Sequence, residues 1–541
     1  MKSKSEFHRE IFSKPYYGFV DGFTKTEFES AKVLGKFYTD YKVADELIKR
    51  IVDTLPISKS RTINIIDPFC GDGRLILKYF EKIFEMPEYK DKFFKISIWD
   101  IDDLAVKKAQ TDIEEYCQQH NIQMQISAEI TDAFVAYGDF IGTFDICITN
   151  PPWGILKPLK LFNTRCSEQE LNIYKGSISA YDTYMRQEFT ISQPTSKFGK
   201  WGTNLGRCGL EVALRLISKN GVCGFVSPAS LFNDQVSLPF RKWIFDEFAL
   251  ESISYYPAKL KLYGTADVSS ITVVAKKGKT LNFAIRLYDE HFKRSEQEIA
   301  GIEVENIKSS NYLLPMEFGL PSVNLKTKLN DCITLEEYCE NNKLHFVREL
   351  DETRLKEKTS ENGRIIFAKG YMIDRYNFTA DDLYLDENRV VPPRTTEFAK
   401  LVWRDVSRSS QKRRIKATVI SKGHIAGNSL GVIYSEENDE VLLKALLAII
   451  NSCVFEYQAR QQFVSNHVPA GVMKKMKVPI DLFNLQIVSL VEEQLLGINR
   501  EAEIEMRVAK LYGFSLDEFN EIINTFDFQE NEIETLRAAW K

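Results

Sequence analysis

Short runs of β-branched and aromatic residues alternate with amphipathic stretches through the first half of the chain. This alternation is typical of a parallel sheet that is covered by helices on both faces. It predicts strands at 62–66, 95–99, 123–129, 144–149, 221–226, 250–256 and 268–275. Between the strands it predicts helices at 74–83, 104–120, 209–219 and 236–248. We therefore expect a doubly wound α/β sheet of about seven strands, with ligands at the carboxyl ends of those strands.

The length of 541 residues exceeds the usual size of one hydrophobic core, so at least two domains are expected. The alternation fades after Lys279, and a polar stretch at 309–328 suggests a join, which gives expected domains at 1–300 and 320–541. No stretch approaches the roughly 18 uninterrupted apolar residues of a membrane span, and the first residues lack the apolar core of a signal peptide. A soluble, cytoplasmic protein is therefore expected.

Cysteine content and charge narrow the function classes further. The 9 cysteines include no Cys-x-x-Cys pair and there are only 6 histidines, which fits neither a disulfide framework nor a zinc site. The net charge is −5, but basic residues gather between 404 and 422 while acidic residues dominate after 490. Because affinity for phosphate depends on local patches, the acidic total is compatible with a nucleic-acid partner.

The loop Asp67-Pro68-Phe69-Cys70-Gly71-Asp72-Gly73 joins the first predicted strand to its helix. Glycines at such a turn let the backbone approach a ligand closely, and the helix amino terminus offers N–H groups to a carboxylate. The third glycine of the fingerprint G-x-G-x-x-G is missing, which disfavours a dinucleotide site. Asp100 ends the second strand, where it is suited to accept hydrogen bonds from ribose hydroxyls. Its neighbours Asp102 and Asp103 are alternatively candidates for the cap of the next helix.

Two further motifs follow the third and fourth strands. The trio Asp132-Ala133-Phe134 is suited to an adenine ring, with the carboxylate toward its amino group and the other side chains toward its face. The tetrapeptide Asn150-Pro151-Pro152-Trp153 comes directly after the fourth strand. As isolated motifs, the first would be an ordinary loop and the second an ordinary Pro-Pro turn. Their order along the chain favours a functional interpretation.

The tetrapeptide has the groups that are needed to activate an exocyclic base amine. Such an amine is a poor nucleophile because its lone pair is delocalised into the ring. A site that accepts both amine hydrogens favours the pyramidal geometry from which the lone pair can attack. Asn150 supplies a side-chain carbonyl oxygen and Pro151 a rigid backbone carbonyl. Trp153 supplies a flat face on which a flipped base can stack.

In order, these motifs resemble those of the gamma-class (TaqI-like) amino-methyltransferases of bacterial type II restriction–modification systems. The resemblance begins at Gly35-Lys36-Phe37-Tyr38-Thr39, continues through 221–228 and 262–269, and covers most of residues 31–280. It implies a Rossmann-like domain that transfers a methyl group from S-adenosyl-L-methionine to the N6 amine of a flipped adenine in double-stranded DNA. It also implies direct displacement by the amine, with neither a covalent enzyme intermediate nor a metal.

The resemblance also implies roles for individual residues. The cofactor would be held, from a segment at 31–50 onward, by Thr39, Asp67, Cys70, Gly71, Asp100, Asp132 and Ala133. The catalytic set would be Asn150, Pro151, Pro152, Trp153 and Tyr263, with the tyrosine opposite the tryptophan across the flipped base. Asp67 and the stretch 71–73 stand where family members vary, and Trp153 stands where tyrosine or phenylalanine is frequent. These departures keep every chemical group that the mechanism needs.

The second half contains the segments 370–376 and 448–452 and the basic cluster that ends at 421–428. It resembles, more loosely, the target-recognition domains that are fused behind such catalytic domains, and we expect a mixed α/β fold there. Predicted contacts to DNA phosphates and base edges involve Arg375, Arg404, Arg408, Arg413, Arg414, Lys422, His424 and Asn428. A solvated run of charge is the alternative for the cluster. Near the end, Gly513 is expected to end a helix and Ser515, with Glu518, to begin the next.

Only about 30 residues precede the first motif, which is too few for a fused nuclease domain. The restriction partner is therefore expected to be a separate endonuclease. Three alternatives stay open: methylation of the N4 amine of cytosine, methylation of an RNA amine or a protein glutamine, and a non-catalytic DNA-binding specificity subunit with the same fold. The basic second half favours DNA as the target, and the motif order favours adenine.

Overall fold

The computed structural model of the protein describes residues 38–55, 61–158, 163, 167–193, 202–234, 236–263, 268–316, 323–352, 354–408, 411–463, 466–481 and 485–540. The motif residues Gly35-Lys36-Phe37 and the stretch 264–267 of the motif at 262–269 lie outside them. The chain divides into two units, Met1–Leu314 and Pro315–Lys541. This division falls between the expected boundaries at 300 and 320. Among the described helices, none has both the length and the apolarity to cross a membrane.

Unit 1 is built around a 9-stranded sheet. Its strands are β1 (Thr62–Asp67), β2 (Phe93–Asp100), β3 (Gln123–Ile130), β4 (Phe144–Thr149), β5 (Ile217–Pro228), β6 (Phe248–Tyr256), β7 (Ser270–Lys277), β8 (Asn282–Tyr288) and β9 (Arg294–Ala300). They lie in the order β3-β2-β1-β4-β5-β7-β6-β8-β9. Strands β1 to β5 pair in parallel, whereas β7 runs antiparallel to both of its neighbours. The doubly wound α/β prediction is confirmed, and β8 and β9 extend the sheet beyond the seven predicted strands.

The helices of unit 1 are α1 (Tyr41–Thr54), α2 (Arg74–Ile83), α3 (Asp103–Gln119), α4 (Ala133–Ala136), α5 (Glu168–Glu188), α6 (Leu205–Leu216), α7 (Leu238–Glu247) and α8 (Ile302–Ser309). The four predicted helices correspond to α2, α3, α6 and α7, with bounds that differ by a few residues. Helix α5 lies between β4 and β5 in the chain and was not predicted.

Helix α1 positions the segment that precedes β1. Its buried side chains recur every three or four residues, from Val43 to Val52, which gives the helix one apolar face. That face packs on β5, where a Cβ at Gly224 would come within 2.3 Å of Ile51 Cδ1. The absence of a side chain at Gly224 therefore allows the close approach. The Asp40 carboxylate caps the helix by accepting from the backbone N–H of Lys42 at 2.8 Å.

Unit 2 contains several short sheets. Its strands are β10 (Ile333–Thr334), β11 (Leu344–Val347), β12 (Thr359–Ser360), β13 (Ile366–Ala368), β14 (Ile373–Asp374), β15 (Asn377–Phe378), β16 (Tyr384–Leu385), β17 (Lys400–Arg404), β18 (Ala417–Ile420), β19 (His424–Ala426), β20 (Leu430–Ser435) and β21 (Lys477–Val478). One 4-stranded sheet has the order β11-β20-β17-β18, and another has the order β12-β16-β13-β19. Trp403 in β17 is buried against Gly431 in β20, where a Cβ would overlap its ring.

The helices of unit 2 are α9 (Val323–Asn330), α10 (Leu335–Asn341), α11 (Glu440–Ile450), α12 (Cys453–Arg460), α13 (Ala470–Met473), α14 (Leu485–Leu495), α15 (Glu501–Leu511), α16 (Leu516–Ile523) and α17 (Glu530–Ala538). The predicted mixture of strands and helices is present. The predicted end at Gly513 is confirmed, because this residue follows α15 with a φ of 74°. The predicted start is also confirmed, since Ser515 and Glu518 form a capping box at α16.

Candidate active site

A cavity opens in unit 1 at the carboxyl ends of β1, β2 and β4. The loops that follow these strands converge there, as expected for a doubly wound sheet. All seven predicted cofactor ligands lie on its wall, together with Asn150 and Pro152. The rest of the wall includes Tyr38, Pro68, Phe69, Asp72, Arg74, Leu75, Ile101, Ala105, Thr131, Phe134, Tyr181 and Leu205.

The glycine loop between β1 and α2 adopts a conformation that favours glycine, which has no Cβ. Gly71 and Gly73 have φ values of 50° and 76°, in the left-handed region. A Cβ at Gly73 would lie 2.8 Å from Ala109 Cβ, so this glycine lets the loop pack against α3. A Cβ at Gly71 would lie 3.1 Å from Tyr38 Cε1, which places the tyrosine ring against the loop. The glycines thus bring backbone to the cavity wall.

Two acidic residues beyond β2 have different positions and partners. Asp100 lies on the cavity wall, where its carboxylate accepts from the backbone N–H of Gly71 at 2.9 Å. Asp102 instead caps α3, because its carboxylate accepts from the N–H groups of Leu104 and Ala105. The sequence left open whether these acids face the ligand or cap the helix. In the structure Asp100 lies on the cavity wall and Asp102 forms the cap. The bond to Gly71 also links the end of β2 to the glycine loop.

Asp67 is a fully buried carboxyl at the end of β1, with 1% of its surface exposed. Its Oδ1 accepts from the Thr149 hydroxyl at 2.7 Å and from the Phe69 N–H at 3.1 Å. Burial is the main cause that raises its pKa to about 7, and the nearby carboxylates of Asp100 and Asp72 act in the same direction. The Thr149 contact joins the end of β1 to the residue before Asn150.

Asp132 begins α4 and is held from two sides. One carboxylate oxygen accepts from the N–H of Phe134 at 2.9 Å, and the other accepts from the Tyr181 hydroxyl at 2.7 Å. Tyr181 comes from α5, whose Tyr184 hydroxyl also donates to the backbone oxygen of Phe134 at 2.9 Å. The rings of Phe134 and Phe69 have centroids 5.2 Å apart and form an apolar part of the cavity wall beside Asp132.

The remaining predicted cofactor residues contribute buried surface. Ala133 is 2% exposed and Thr39 is also 2% exposed. Cys70 is 5% exposed, and burial raises the pKa of its thiol. A thiol whose pKa is raised stays protonated at neutral pH and is a weak nucleophile. Cys70 therefore shapes the cavity and is poorly suited to covalent chemistry.

The Asn150-Pro151-Pro152-Trp153 turn leaves β4 at the edge of the cavity. The Asn150 amide nitrogen donates to Thr39 Oγ1 at 3.1 Å. Pro151 lies against α6, where a Cβ at Gly209 would come within 2.5 Å of Pro151 Cβ. The rings of Trp153 and Tyr263 contact each other edge to face with centroids 4.5 Å apart, and Tyr263 is 7% exposed. The predicted catalytic residues are therefore brought together, but the prediction that Tyr263 lies across a flipped base from Trp153 is corrected, because the two rings contact each other directly.

Three of the predicted DNA-contacting arginines are instead enclosed in unit 2, where Arg414 is buried and the side chains of Arg375 and Arg413 are 9% and 10% exposed. Arg413 forms ion pairs with Glu456 at 2.8 Å and Glu505 at 3.0 Å. Arg375 is paired with Glu501 at 3.2 Å, and its guanidinium also donates to a backbone carbonyl of this unit. Arg414 is 3% exposed. The predictions that Arg413 and Arg414 contact phosphates and that Arg375 contacts a base edge are corrected to a structural role, because each guanidinium is already enclosed by the protein.

The other predicted DNA contacts differ in exposure. Arg404 is half-buried and donates to two backbone carbonyls. His424 is half-buried, and burial lowers the pKa of its imidazole. Asn428 donates to Asp351 at 3.3 Å. Arg408 and Lys422 have exposed side chains. Among the predicted DNA contacts, these two residues place a cation on the surface.

Sequence reasoning missed two residues that organise the cavity. Tyr181 lies in the unpredicted helix α5 and bonds Asp132. Arg74 follows the glycine loop and donates from Nη1 to the backbone oxygen of Thr39 at 2.7 Å. The position of Arg74 directly after the glycines was a usable signal, because the first turn of that helix must face the loop. Tyr181 offered no comparable signal in the sequence.

Comparison with known proteins gives one family match. Residues 7–176 match the family model described as N-6 DNA Methylase. This segment includes β1 to β4, the glycine loop and the Asn150-Pro151-Pro152-Trp153 turn. The match supports a DNA methyltransferase domain in this part of the chain.

Similar solved structures cover both units of the chain. The type IIL restriction–modification enzyme MmeI in complex with DNA aligns with a TM-score of 0.52 at 10% identity, over 99% of this chain and 77% of that one. A DrdV–DNA complex aligns with a TM-score of 0.51 at 10% identity, over 92% of this chain and 60% of that one. The type IIG restriction endonuclease BpuSI aligns at 14% identity with a TM-score of 0.44, over 95% of this chain and 67% of that one.

At these identities the likeness to MmeI and DrdV is one of fold. The chain spans 60% of the DrdV chain, so the activities of that whole protein are not carried over. The family match thus supports a DNA methyltransferase domain within residues 7–176, and the solved structures show a shared fold.

Proposed function

We propose that the chain transfers a methyl group from S-adenosyl-L-methionine to the N6 amine of an adenine in double-stranded DNA. The observation that carries this proposal is the position of Asn150. Its amide lies on the wall of the cavity that also contains Asp100 and Asp132. A donor that binds in this cavity would therefore lie beside the group that activates the acceptor. The match of residues 7–176 to N-6 DNA methylases supports adenine as the acceptor.

The chemistry of the cavity wall fits the proposed cofactor. The Asp100 carboxylate is suited to ribose hydroxyls, and the Asp132 carboxylate to the amino group of an adenine ring. The tilted rings of Phe69 and Phe134 offer an apolar contact to that ring. The remaining predicted residues, Thr39, Asp67, Cys70, Gly71 and Ala133, would complete the enclosure. When bound, the cofactor would supply an electrophilic methyl group on a positively charged sulfur.

The turn after β4 would act on the acceptor amine. The Asn150 carbonyl oxygen and the Pro151 backbone oxygen would each accept one amine hydrogen, which draws the lone pair out of the ring. Pro151 and Pro152 keep this turn rigid, and the contact of Pro151 with Gly209 fixes it against α6. Most of the rate enhancement would then come from position and hydrogen-bond polarisation.

The acceptor base would have to leave the duplex to reach this turn. Trp153 follows Asn150 by three residues and packs edge to face on Tyr263, and a flipped base would stack on this aromatic pair. Unit 2, with exposed cations at Arg408 and Lys422, would contact the DNA around the target. We assign the motif order to the gamma class and propose a type II modification enzyme that acts with a cognate restriction endonuclease.

The test is to incubate purified protein with S-adenosyl-L-methionine and unmodified DNA, and to identify methylated nucleosides by mass spectrometry. We expect N6-methyladenine. The Asn150→Ala variant should bind the cofactor as wild type does, measured by calorimetry, but lose most turnover because the amide acts on the amine. Methyl on the cytosine amine would keep the mechanism and overturn adenine as the target. Failure of the wild type to bind S-adenosyl-L-methionine would overturn the methyltransferase proposal.

A further inference from the structure

We propose that Arg74 and Thr39 are positioning residues that orient the Asn150 amide, and that they couple this amide to the glycine loop. The proposal rests on the proposed function and deepens it. It assigns Thr39 a role toward the acceptor amine in addition to the cofactor contact implied by resemblance. It assigns a role to Arg74, which the sequence motifs left unexplained.

Arg74 is held in one orientation by contacts on several sides. Its guanidinium forms a two-pronged ion pair with Asp72, with Nη2 2.7 Å and Nε 3.0 Å from the carboxylate oxygens. The guanidinium also lies 5.0 Å from the ring centroids of both Tyr38 and Tyr41. A planar guanidinium is suited to such a combination of fork and stacking, which a lysine cannot reproduce.

The remaining arm of the guanidinium reaches Thr39. Nη1 donates to the Thr39 backbone oxygen at 2.7 Å, across 35 residues of sequence. Thr39 is 2% exposed, and the Asp40 cap fixes the residue that follows it. The backbone of Thr39 is therefore held against the glycine loop on one side and at the start of α1 on the other. A side chain on such a fixed backbone has a defined direction.

The Thr39 side chain contacts the Asn150 amide directly. The Asn150 Nδ2 donates to Thr39 Oγ1 at 3.1 Å. Because the two heavy atoms of a planar amide point in different directions, this bond turns the carbonyl oxygen away from Thr39. The opposite orientation would present the NH2 group, a donor, to an amine that has hydrogens to donate. With the Thr39 hydroxyl in its accepting role, this contact holds the amide in the orientation that can accept from the acceptor base.

The contacts form a continuous series from Asp72 through Arg74 and Thr39 to Asn150. Asp72 belongs to the glycine loop and, like Thr39, lies on the cavity wall. A displacement of this loop would therefore reach the catalytic amide. Removing the Arg74 guanidinium should therefore lower the rate of methyl transfer through its effect on Thr39. None of these bonds joins Arg74 directly to Asn150.

Kinetics at saturating cofactor and DNA test the series. Thr39→Val removes the acceptor oxygen while keeping the shape, and should lower the single-turnover rate about 10-fold, as expected for one lost oriented hydrogen bond. Thr39→Ser restores the oxygen and should recover most of the rate. Arg74→Gln should lower the rate by a similar factor. Two matched controls, Thr111→Val and Arg50→Gln, change residues whose bonds stay within one helix, and should keep the wild-type rate.

The double variant distinguishes the series from general damage. If Arg74 acts through Thr39, Arg74→Gln should lower the rate by less than about 2-fold in the Thr39→Val background. Multiplicative losses in the double variant would overturn the coupling. An unchanged single-turnover rate in Thr39→Val would overturn the role of Thr39.

A second readout is independent of activity. In protein labelled with 15N at asparagine, the Asn150 side-chain NH2 signal is identified by its absence in Asn150→Ala. Thr39→Val and Arg74→Gln should both shift this signal, whereas Thr111→Val and Arg50→Gln should leave it in place. An unmoved signal in both test variants would overturn the proposal. Loss of methyl transfer in the wild type, with these shifts present, would instead count against the proposed function alone.

Discussion

Asp67 makes the stability of unit 1 depend on pH. Its pKa is raised from 3.8 to about 7, mainly because the carboxyl is buried. The folded state therefore binds the proton more tightly than the unfolded state does. The stabilising effect of the protonated carboxyl is complete below about pH 4 and is lost progressively as the pH rises to about 7. Above that pH the folded state contains an ionised carboxylate whose burial costs free energy.

The substitution Asp67→Asn should remove this dependence. The amide oxygen of asparagine can still accept from the Thr149 hydroxyl and the Phe69 N–H, which lie 2.7 and 3.1 Å from Oδ1. The difference between a pKa of 3.8 and one of about 7 corresponds to about 4 kcal/mol of unfolding free energy. Between pH 4 and pH 8, the variant should therefore gain up to about 4 kcal/mol relative to the wild type.

The assay is urea unfolding of both proteins at intervals from pH 4 to pH 8.5, without cofactor. The new NH2 group of asparagine adds a roughly constant offset of about 1–2 kcal/mol, so the quantity that matters is the change of the difference with pH. Asp145→Asn is a matched control, since it removes a carboxylate from a half-buried position in β4. A difference between Asp67→Asn and wild type that stays constant across this range would refute the reasoning.

Three further predictions concern contacts that the sequence did not reveal. Tyr181→Phe removes a 2.7 Å bond to Asp132 and should weaken cofactor binding about 5-fold in calorimetry, with the maximal rate unchanged. Gly209→Ala places a Cβ 2.5 Å from Pro151 Cβ, and should lower turnover about 10-fold or more while circular dichroism shows a retained fold. Arg413→Gln breaks buried ion pairs and should cost about 3–5 kcal/mol in urea unfolding. It should leave the salt dependence of DNA binding unchanged, whereas a phosphate contact would reduce it.

The sheet of unit 1 was largely predictable because its central strands are buried on both faces. Strand β4 is buried along nearly its whole length and was predicted with the observed bounds. Strand β9 was missed because it is an edge strand with mostly exposed, charged or polar residues, so its sequence has no apolar pattern. Helix α5 was missed because its buried residues are tyrosines and single apolar residues within a polar sequence. Periodicity therefore identifies elements that contribute apolar surface and misses those held by other contacts.

The candidate active site was predictable for a related reason. Its residues follow the carboxyl ends of neighbouring parallel strands, so their order in the chain fixes their proximity in space. The basic cluster of unit 2 had no such constraint. Arg413 is paired with Glu456 and Glu505, which lie 43 and 92 residues further along the chain. A count of charges in a window cannot show partners at such distances, and this explains why buried arginines were mistaken for an exposed patch.

The segment 424–429 of unit 2 has a conformation set by acidic residues that lie beneath it. Glu349 accepts from the Ala426 N–H at 2.6 Å, and Glu352 accepts from the Ser429 hydroxyl at 2.6 Å. Lys400 is buried with Glu349 and pairs with it at 2.6 Å. Carboxylates near a DNA backbone would oppose binding unless their charge is engaged by donors of the protein. Here each carboxylate accepts hydrogen bonds that fix segment 424–429. If this segment reads bases, it would do so as a loop that is already ordered before DNA binds.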